Sequence, residues 1–483
     1  MASLDELRNE RIQKIVKLQE AGMPAYPSDS RRTHRIADVR AKFDDVVGTQ
    51  ATLDGRVMAI RKHGKAMFAD VFDGSARIQL LLNSSDTTDK LFVLFDEAVD
   101  LGDIIEAEGT LEISKRGEQT LKVTSWRMLT KALRPLPDDW HGLQNEEERL
   151  RKRYLDMLTR DELREMVLLR AKFWQAVRRF HEDRGFTEVH TPILEVTTGG
   201  ADARPFQTRH NALDIDVYLR ISAGELWQKR LMVAGIEKTF EIGPIFRNEG
   251  MSAEHAQDYM QCEAYWAYAS WIDMANFLRE CYQFVIQETF SRMAFSIRGF
   301  DIDFSGEWPH IDYAEEIKKQ TGVDIWEADT GTLQNALKQL NVEYEGANRE
   351  RLVDSLWKFC RKSIAGPAIL INEPRFLSPL AKINPSDINT VERFHFIIAG
   401  SEVGQGYSEL NDPIDQRERF ESQQALRDAG DDEAQMADME FVEALEYGMP
   451  PTAGHGFSDR LFAFLMDKSI REIQLFPLVK PRE

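Results

Sequence analysis

Arg247, Glu249, His255, Tyr259, Gln261, Glu263 and Tyr265 all fall within one stretch, FEIGPIFRNEGMSAEHAQDYMQCEAYWAY, residues 240–268. A guanidinium, a carboxylate and an imidazole this close together suit a phosphate-bearing ligand, because charge-assisted hydrogen bonds to phosphate are short and strong. The stretch reads as strand, polar loop, strand. A period of two puts Tyr259, Gln261, Glu263 and Tyr265 on one face of the return strand, and Met260, Cys262, Ala264 and Trp266 on the other. The second set suits a packed core. The first carries a carboxylate that a core does not accept unpaired. An antiparallel hairpin with surface charges is the plain alternative.

Other segments add acids and glycines. In YLRISAGELWQKRLM, 218–232, Glu225 opens a helix, where a carboxylate either accepts a ligand amine or satisfies the helix N-terminus. Glu402 and Glu409 lie in SPLAKINPSDINTVERFHFIIAGSEVGQGYSELNDPIDQRERF, 378–420. An ideal strand sends residues seven apart to opposite faces, but Gly404 and Gly406 between them allow a bulge that turns both inward. Two acids facing one cavity need cations, either Mg²⁺ or a ligand ammonium. In EYGMPPTAGHGFSDRLFAFLMDKSIREIQLFP, 446–477, Gly454 and Gly456 let backbone approach a ligand closely. Ser458 is placed to cap the helix bearing Leu461, Phe462 and Leu465. Arg460 then sits in its first turn, where the macrodipole disfavours a cation and favours an anionic partner.

The elements that position these groups form two parts. From about 51 to 130, short alternating strands broken by glycines predict a small five-stranded barrel of the OB type. Residues 3–21 predict an amphipathic helix with a basic stripe of Arg8, Arg11, Lys14 and Lys17, either a nucleic-acid contact or a solvated face. KALRPLPDDWHG, 131–142, is a connector. Beyond it, helices and strands alternate. RGFTEVHTPILEVTTGGADARPF, 184–206, is helix then extended strand, and Pro192 restricts that strand to an edge or an interface. The segment 306–365 reads as a helical insertion without visible chemistry. With 42% hydrophobic and 29% charged residues, the 483-residue chain has the composition of a globular protein. No apolar run spans a bilayer, MASLDELRNERIQK lacks the apolar core of a signal peptide, and three scattered cysteines imply neither disulfides nor a metal cluster, which points to the cytoplasm. The net charge of −20 argues against nonspecific nucleic-acid binding, although residues 1–65 carry a small basic surplus.

In order and spacing these blocks resemble the lysyl-tRNA synthetases of class II, subclass IIb, along nearly the whole chain. The strings that carry the resemblance are GGADARPF, HNALDIDVYLRI, FRNEGMSAEH, SPLAK, GYSELNDPIDQRERF and EYGMPPTAG. It implies an α+β fold, with an N-terminal helix and OB-fold anticodon-binding domain over 1–140. Residues 141–483 would form a class II catalytic domain, an antiparallel sheet flanked by helices. It implies ATP-dependent activation of L-lysine and transfer to tRNA(Lys), by a cytoplasmic homodimer that needs Mg²⁺. Gly200, Glu225, Arg247, Glu263, Tyr265, Gln405, Tyr407 and Glu409 would form the lysine pocket. In it Glu225 takes the α-amino group, Arg247 the carboxylate, and Glu409 with Tyr265 the ε-ammonium. Arg247, Glu249, His255, Tyr259, Glu402 and Arg460 would hold ATP, Arg247 and Arg460 being catalytic and Glu402 carrying Mg²⁺. Arg61, Phe68 and Gln79 would read the anticodon. The chain departs from the pattern at His395, where a second metal-binding glutamate is usual. It departs also in a motif 3 one residue short, in an extra residue in SAGEL, and in Gly243-Pro244-Ile245. A non-catalytic paralogue that binds lysine or RNA is the rival reading.

Overall fold

The computed structural model describes residues 3–137, 143–201, 203–344, 348–378, 380–428 and 436–482, so the end of the 131–142 connector and Asp202 lie outside it. The chain forms two compact units, Met1–Thr159 and Arg160–Glu483. In the first, strands β1 (Gln50–His63), β2 (Ala66–Phe72), β3 (Arg77–Asn83), β4 (Ile104–Ile113) and β5 (Gln119–Thr130) close into a barrel in the order β1-β2-β3-β5-β4. Alternation builds it: Leu53, Val57, Met67, Ala69, Val71, Leu80, Leu82, Ile105, Leu121 and Val123 turn inward. Helix α1 (Leu4–Glu20) starts at a Ser3/Glu6 capping box. Of its basic stripe, Arg8 is exposed and the other three are tied to the barrel. Arg11 is buried and donates to the carbonyls of Leu101, Ala132 and Arg134, Lys14 pairs with Asp100 at 2.7 Å, and Lys17 with Glu97 at 3.0 Å. Helix α2 (Asp89–Ala98) sets Phe95 edge-on to Trp126 at the barrel's end.

The second unit is built on eight strands. They are β6 (Thr187–Glu188), β7 (Lys238–Phe246), β8 (Asp258–Ala267), β9 (His310–Asp312), β10 (Ala368–Ile371), β11 (Arg393–Ile398), β12 (Ser401–Ser408) and β13 (Thr452–Ser458), in the order β9-β10-β11-β12-β13-β8-β7-β6. The central pairs are antiparallel; each terminal strand, β6 and β9, pairs parallel with its neighbour. Pro192 follows the edge strand β6, in keeping with its missing N–H donor. Helices α3 (Asp161–Glu182) and α5 (Trp271–Phe290) cover one face. Their Phe173 packs against Phe462, Tyr282 against Phe457, His181 against Phe240 and Phe277 against His455 in the unit's core. Cys262 and Ala264 are fully buried, and Trp266 lies edge-on to Phe277. The alternate residues of β8 therefore occupy the opposite face, where the site lies.

Segment 306–365 contributes more than an insertion. It supplies the sheet's edge strand β9, and helix α6 (Arg349–Cys360) helps form a hydrophobic cluster of its own around Tyr313, Ile317, Leu333 and Trp357.

Candidate functional site

Sheet register assembles the site. Across β8, β13, β12 and β11 one row runs Glu263, Gly456, Gln405, His395, and the next runs Tyr265, Gly454, Tyr407, Arg393. Side chains in register share a face, so acids and phenols from two strands look into one space with glycine between them. At Gly454 an added Cβ would stand 2.4 Å from Glu409 Oε1 and 2.6 Å from Tyr265 Cε1. The pairing of β11 with β12 shifts between Phe396 and Ile397, which become partners of Gly404 and Glu402 and leave Val403 as the extra residue. That is the bulge the glycine spacing allows.

Three carboxylates are buried here. Glu263 accepts from the Ala223 amide at 2.9 Å and the Gln261 amide at 2.6 Å through Oε1, and from the Tyr265 hydroxyl at 3.1 Å through Oε2. Glu225, first residue of α4 (Glu225–Val233), accepts through Oε1 from the Tyr407 hydroxyl at 2.5 Å and the Lys229 ammonium at 2.7 Å. Lys229 also reaches Glu409 Oε2 at 2.5 Å, and its side chain is 1% exposed. Burial, together with the charge of Glu225, raises Glu263 above the usual carboxylate range. Burial raises Glu409 too, against the pull of Lys229. Burial disfavours the Lys229 ammonium, but Glu225 and Glu409 outweigh it and hold it charged. Gly200, at φ +89°, has no side chain between Ser222 and Glu225, and a Cβ there would come within 2.9 Å of Glu225 Oε2. Gln405 is exposed, with its amide oxygen accepting from Arg393.

The phosphate-type groups lie beside this pocket. Arg247 follows β7 and donates to the Ile221 carbonyl at 3.3 Å, its guanidinium 6.0 Å from the Tyr259 ring centre. Arg460 opens helix α7 (Arg460–Leu465) and donates to the carbonyls of Glu402 and Glu254 at 3.0 and 3.4 Å. Asp459, not Ser458, is the N-cap residue. The Ser458 hydroxyl accepts the Arg460 amide at 3.3 Å, while the Asp459 carboxylate takes Arg170, the Trp174 indole and the Met260 amide. Burial and then the like charges of Arg247 and Arg361 lower Arg460, with Glu254 opposing, so three guanidiniums share one neighbourhood. His255 is exposed and Glu249 half-buried in the loop between β7 and β8.

Glu402, the acid expected to carry a metal, has these surroundings. Its Oε1 accepts from the Trp357 indole at 2.7 Å and lies 3.8 Å from Arg361, and its Oε2 lies 3.4 Å from His395 Nδ1. The other imidazole nitrogen of His395 bonds to Glu373. Burial opposes charge on His395, Glu373 outweighs it, and the imidazole is held above its ordinary value. His395 is thus bonded to Glu373 through Nε2, while its buried Nδ1 faces Glu402 without a hydrogen bond. Among the described residues no three His, Cys, Asp or Glu groups could hold an ion by themselves. A single carboxylate does suit Mg²⁺, which keeps waters and takes most of its protein-independent ligands from substrate phosphates.

Lys229, Trp357, Arg361 and Glu373 escape a reading of the sequence. A lysine on a helix and an arginine in a distant helical segment carry no local signal. In the barrel, Arg61 forms a two-pronged pair with Asp70 at 2.7 and 2.9 Å and touches Gln79 Oε1 at 3.3 Å. Phe68 is half-buried on the outward face of β2, since its neighbours Met67 and Ala69 turn inward. The three candidates form one outward patch across β1, β2 and β3.

Comparison with known proteins agrees with this architecture. Residues 145–480 match the family described as tRNA synthetases class II (D, K and N), and residues 51–129 match the OB-fold nucleic acid binding domain. The chain is similar to the lysine–tRNA ligase of Thermosipho africanus, at 40% identity over 99% of this chain and 97% of that one. It is similar to those of Fervidobacterium nodosum and Moorella thermoacetica, each at 41% identity over 99% of this chain and 95% and 99% of theirs. No helix among the described residues is long and apolar enough to cross a membrane.

Proposed function

The chain belongs to the class II tRNA synthetases of the D, K and N group as a lysine–tRNA ligase that uses ATP, and from that premise we propose how its own residues divide the work. Glu225 binds the α-amino group of L-lysine, Glu409 and Tyr265 receive the ε-ammonium, and Glu263, Tyr407, Gln405 and Gly200 complete the pocket. Arg247 holds the lysine carboxylate against the α-phosphate of ATP. Tyr259 stacks on the base, Glu249 and His255 contact the nucleotide, and Arg460 grips the distal phosphates.

The carrying observation is that three buried acids, Glu225 of α4, Glu263 of β8 and Glu409 just after β12, converge around Lys229 and Tyr265, with the charge of Arg247 felt at Glu263. A buried carboxylate left unpaired costs several kcal/mol, so a neutral side chain is rejected sharply. An anionic one is repelled outright.

The reaction needs no covalent enzyme nucleophile. The lysine carboxylate attacks the α-phosphorus in line and pyrophosphate leaves. The tRNA 3′-hydroxyl then attacks the activated carbonyl, losing its proton to solvent as the carbonyl–phosphate bond breaks and AMP leaves. The protein supplies positioning and fixed positive charge at Arg247 and Arg460. Glu402 would hold Mg²⁺ together with the phosphates, where the ion neutralises part of their charge. Residues 1–140 bind the anticodon of tRNA(Lys) through Arg61, Phe68 and Gln79, and 141–483 carry the chemistry in the cytoplasm. Ile193, Leu194 and Val196 are 43%, 49% and 65% exposed, an apolar run that suits a homodimer interface.

Lysine-dependent exchange of pyrophosphate into ATP tests this reading. Exchange with lysine, and none with aspartate or asparagine, is the expected result. Lysine binding without exchange for any amino acid would instead indicate a regulator.

A further inference from the structure

The pocket already contains a lysine of its own. Lys229 lies one helical turn after Glu225, so its side chain runs along α4 toward the same acid. It is as buried as any core residue, yet it ends in a charge. Its ammonium takes one oxygen from each of two acids, Glu225 Oε1 at 2.7 Å and Glu409 Oε2 at 2.5 Å. The rings of Tyr407, Phe441 and Tyr265 surround it at 5.6, 5.9 and 6.0 Å.

What the two acids do with their remaining oxygens is the informative point. Glu225 Oε2 and Glu409 Oε1 receive no hydrogen bond among the described residues. Each faces a glycine: a Cβ on Gly200 would stand 2.9 Å from the first, and a Cβ on Gly454 2.4 Å from the second. One oxygen of each acid therefore lies within ion-pair reach of a fixed cation, and the other lies against a glycine, beside Ser222 at Gly200 and beside Tyr265 at Gly454. Holding one oxygen restricts the carboxylate, and at Glu409 the ammonium opposes the rise that burial causes.

We propose that Lys229 is the positioning residue of the lysine pocket: a built-in ammonium that clamps Glu225 and Glu409 by one oxygen each and so aims their second oxygens at the two amino groups of the substrate. This rests on the lysine pocket proposed above. Lys229 does not touch the reacting atoms. It sets the spacing and charge of the two acids that read the substrate, and so contributes to the choice of a doubly aminated amino acid.

The test is the Lys229→Met variant, which keeps length and removes charge. In ATP–pyrophosphate exchange its KM for lysine should rise at least thirtyfold, while kcat and the KM for ATP stay within about threefold of the wild type. A Lys229→Ala variant opens a cavity, and added propylammonium should restore a low lysine KM where propanol does not. A lysine KM within threefold of wild type in Lys229→Met overturns the proposal. So does equal rescue by propanol, which would mean that Lys229 only fills space, and so does failure of propylammonium to rescue. Wild-type enzyme is assayed alongside: without lysine-dependent exchange in the wild type, the pocket assignment itself fails, whereas a normal wild type with unmoved variants sinks only the role of Lys229.

Discussion

Glu263 and Glu409 make the pocket sensitive to proton concentration. Burial pushes Glu263 up to about 7 and Glu409 up to about 8. In the empty pocket near neutral pH a proton is thus retained, and an incoming ammonium favours the ionised acids and expels it. Lysine affinity should therefore rise as pH climbs through about 7 to 8 and fall below that window, by up to roughly tenfold per pH unit for one proton. The lysine KM between pH 6 and 9 reads this directly, and calorimetry in two buffers of different ionisation heat counts the proton. A flat profile contradicts it. Arg361 gives a second residue-scale expectation. It sits beside Glu402 and adds to the positive neighbourhood of Arg460. Arg361→Ala should raise the KM for ATP by about tenfold, typical of a lost charge-assisted contact, with the lysine KM unchanged.

Elements differ in how openly the sequence displays them. The return strand β8 was legible because period-two alternation separates Glu263 and Tyr265 from Cys262 and Ala264 without reference to anything else. The bulge before Gly404 was legible for a similar local reason. Lys229 was not, because its meaning comes from Glu409, far along the chain. The grouping of Glu373, His395 and Glu402 joins β11 to β12 and to a residue just after β10, and only the register reveals it. Helix α3 and strand β13 share another hidden pair, His181 and His455, whose Nε2 atoms lie 3.2 Å apart in the core. Burial pushes His181 down to about 4 and lowers His455 as well. Below pH 6.5 the unfolded chain takes up protons that the folded chain refuses. Stability is therefore full above pH 6.5 and lost as pH falls toward 4, by roughly 3 kcal/mol for His181 alone. Urea midpoints at pH 7.5 and 5 should differ accordingly, and His181→Gln should flatten the difference.

At the scale of the molecule, the two units carry separable tasks in the proposed scheme. Arg61 and Phe68 belong to the barrel, and no described pocket residue belongs to it. Arg61→Ala combined with Phe68→Ala should leave lysine-dependent exchange unchanged and raise the KM for tRNA(Lys) in aminoacylation by one to two orders of magnitude, on the scale of one lost stacked base plus one charged contact. A matching fall in exchange would mean that the substitutions disturb the fold of the chain. The barrel was legible from alternation, because short strands broken by glycines leave a different signature from a large sheet with long amphipathic helices. The patch on the barrel was only partly so, since Phe68 declares its outward face through its neighbours' burial and not through its own type.

Strand β12 has Glu402 near its start and is followed directly by Glu409. In the proposed scheme the nucleotide-side and amine-side acids thus ride on one strand, which works as a ruler for the gap between the two substrates. Inserting or deleting a single residue between them would spoil both readings together, so this short strand is where the protein should tolerate length change least.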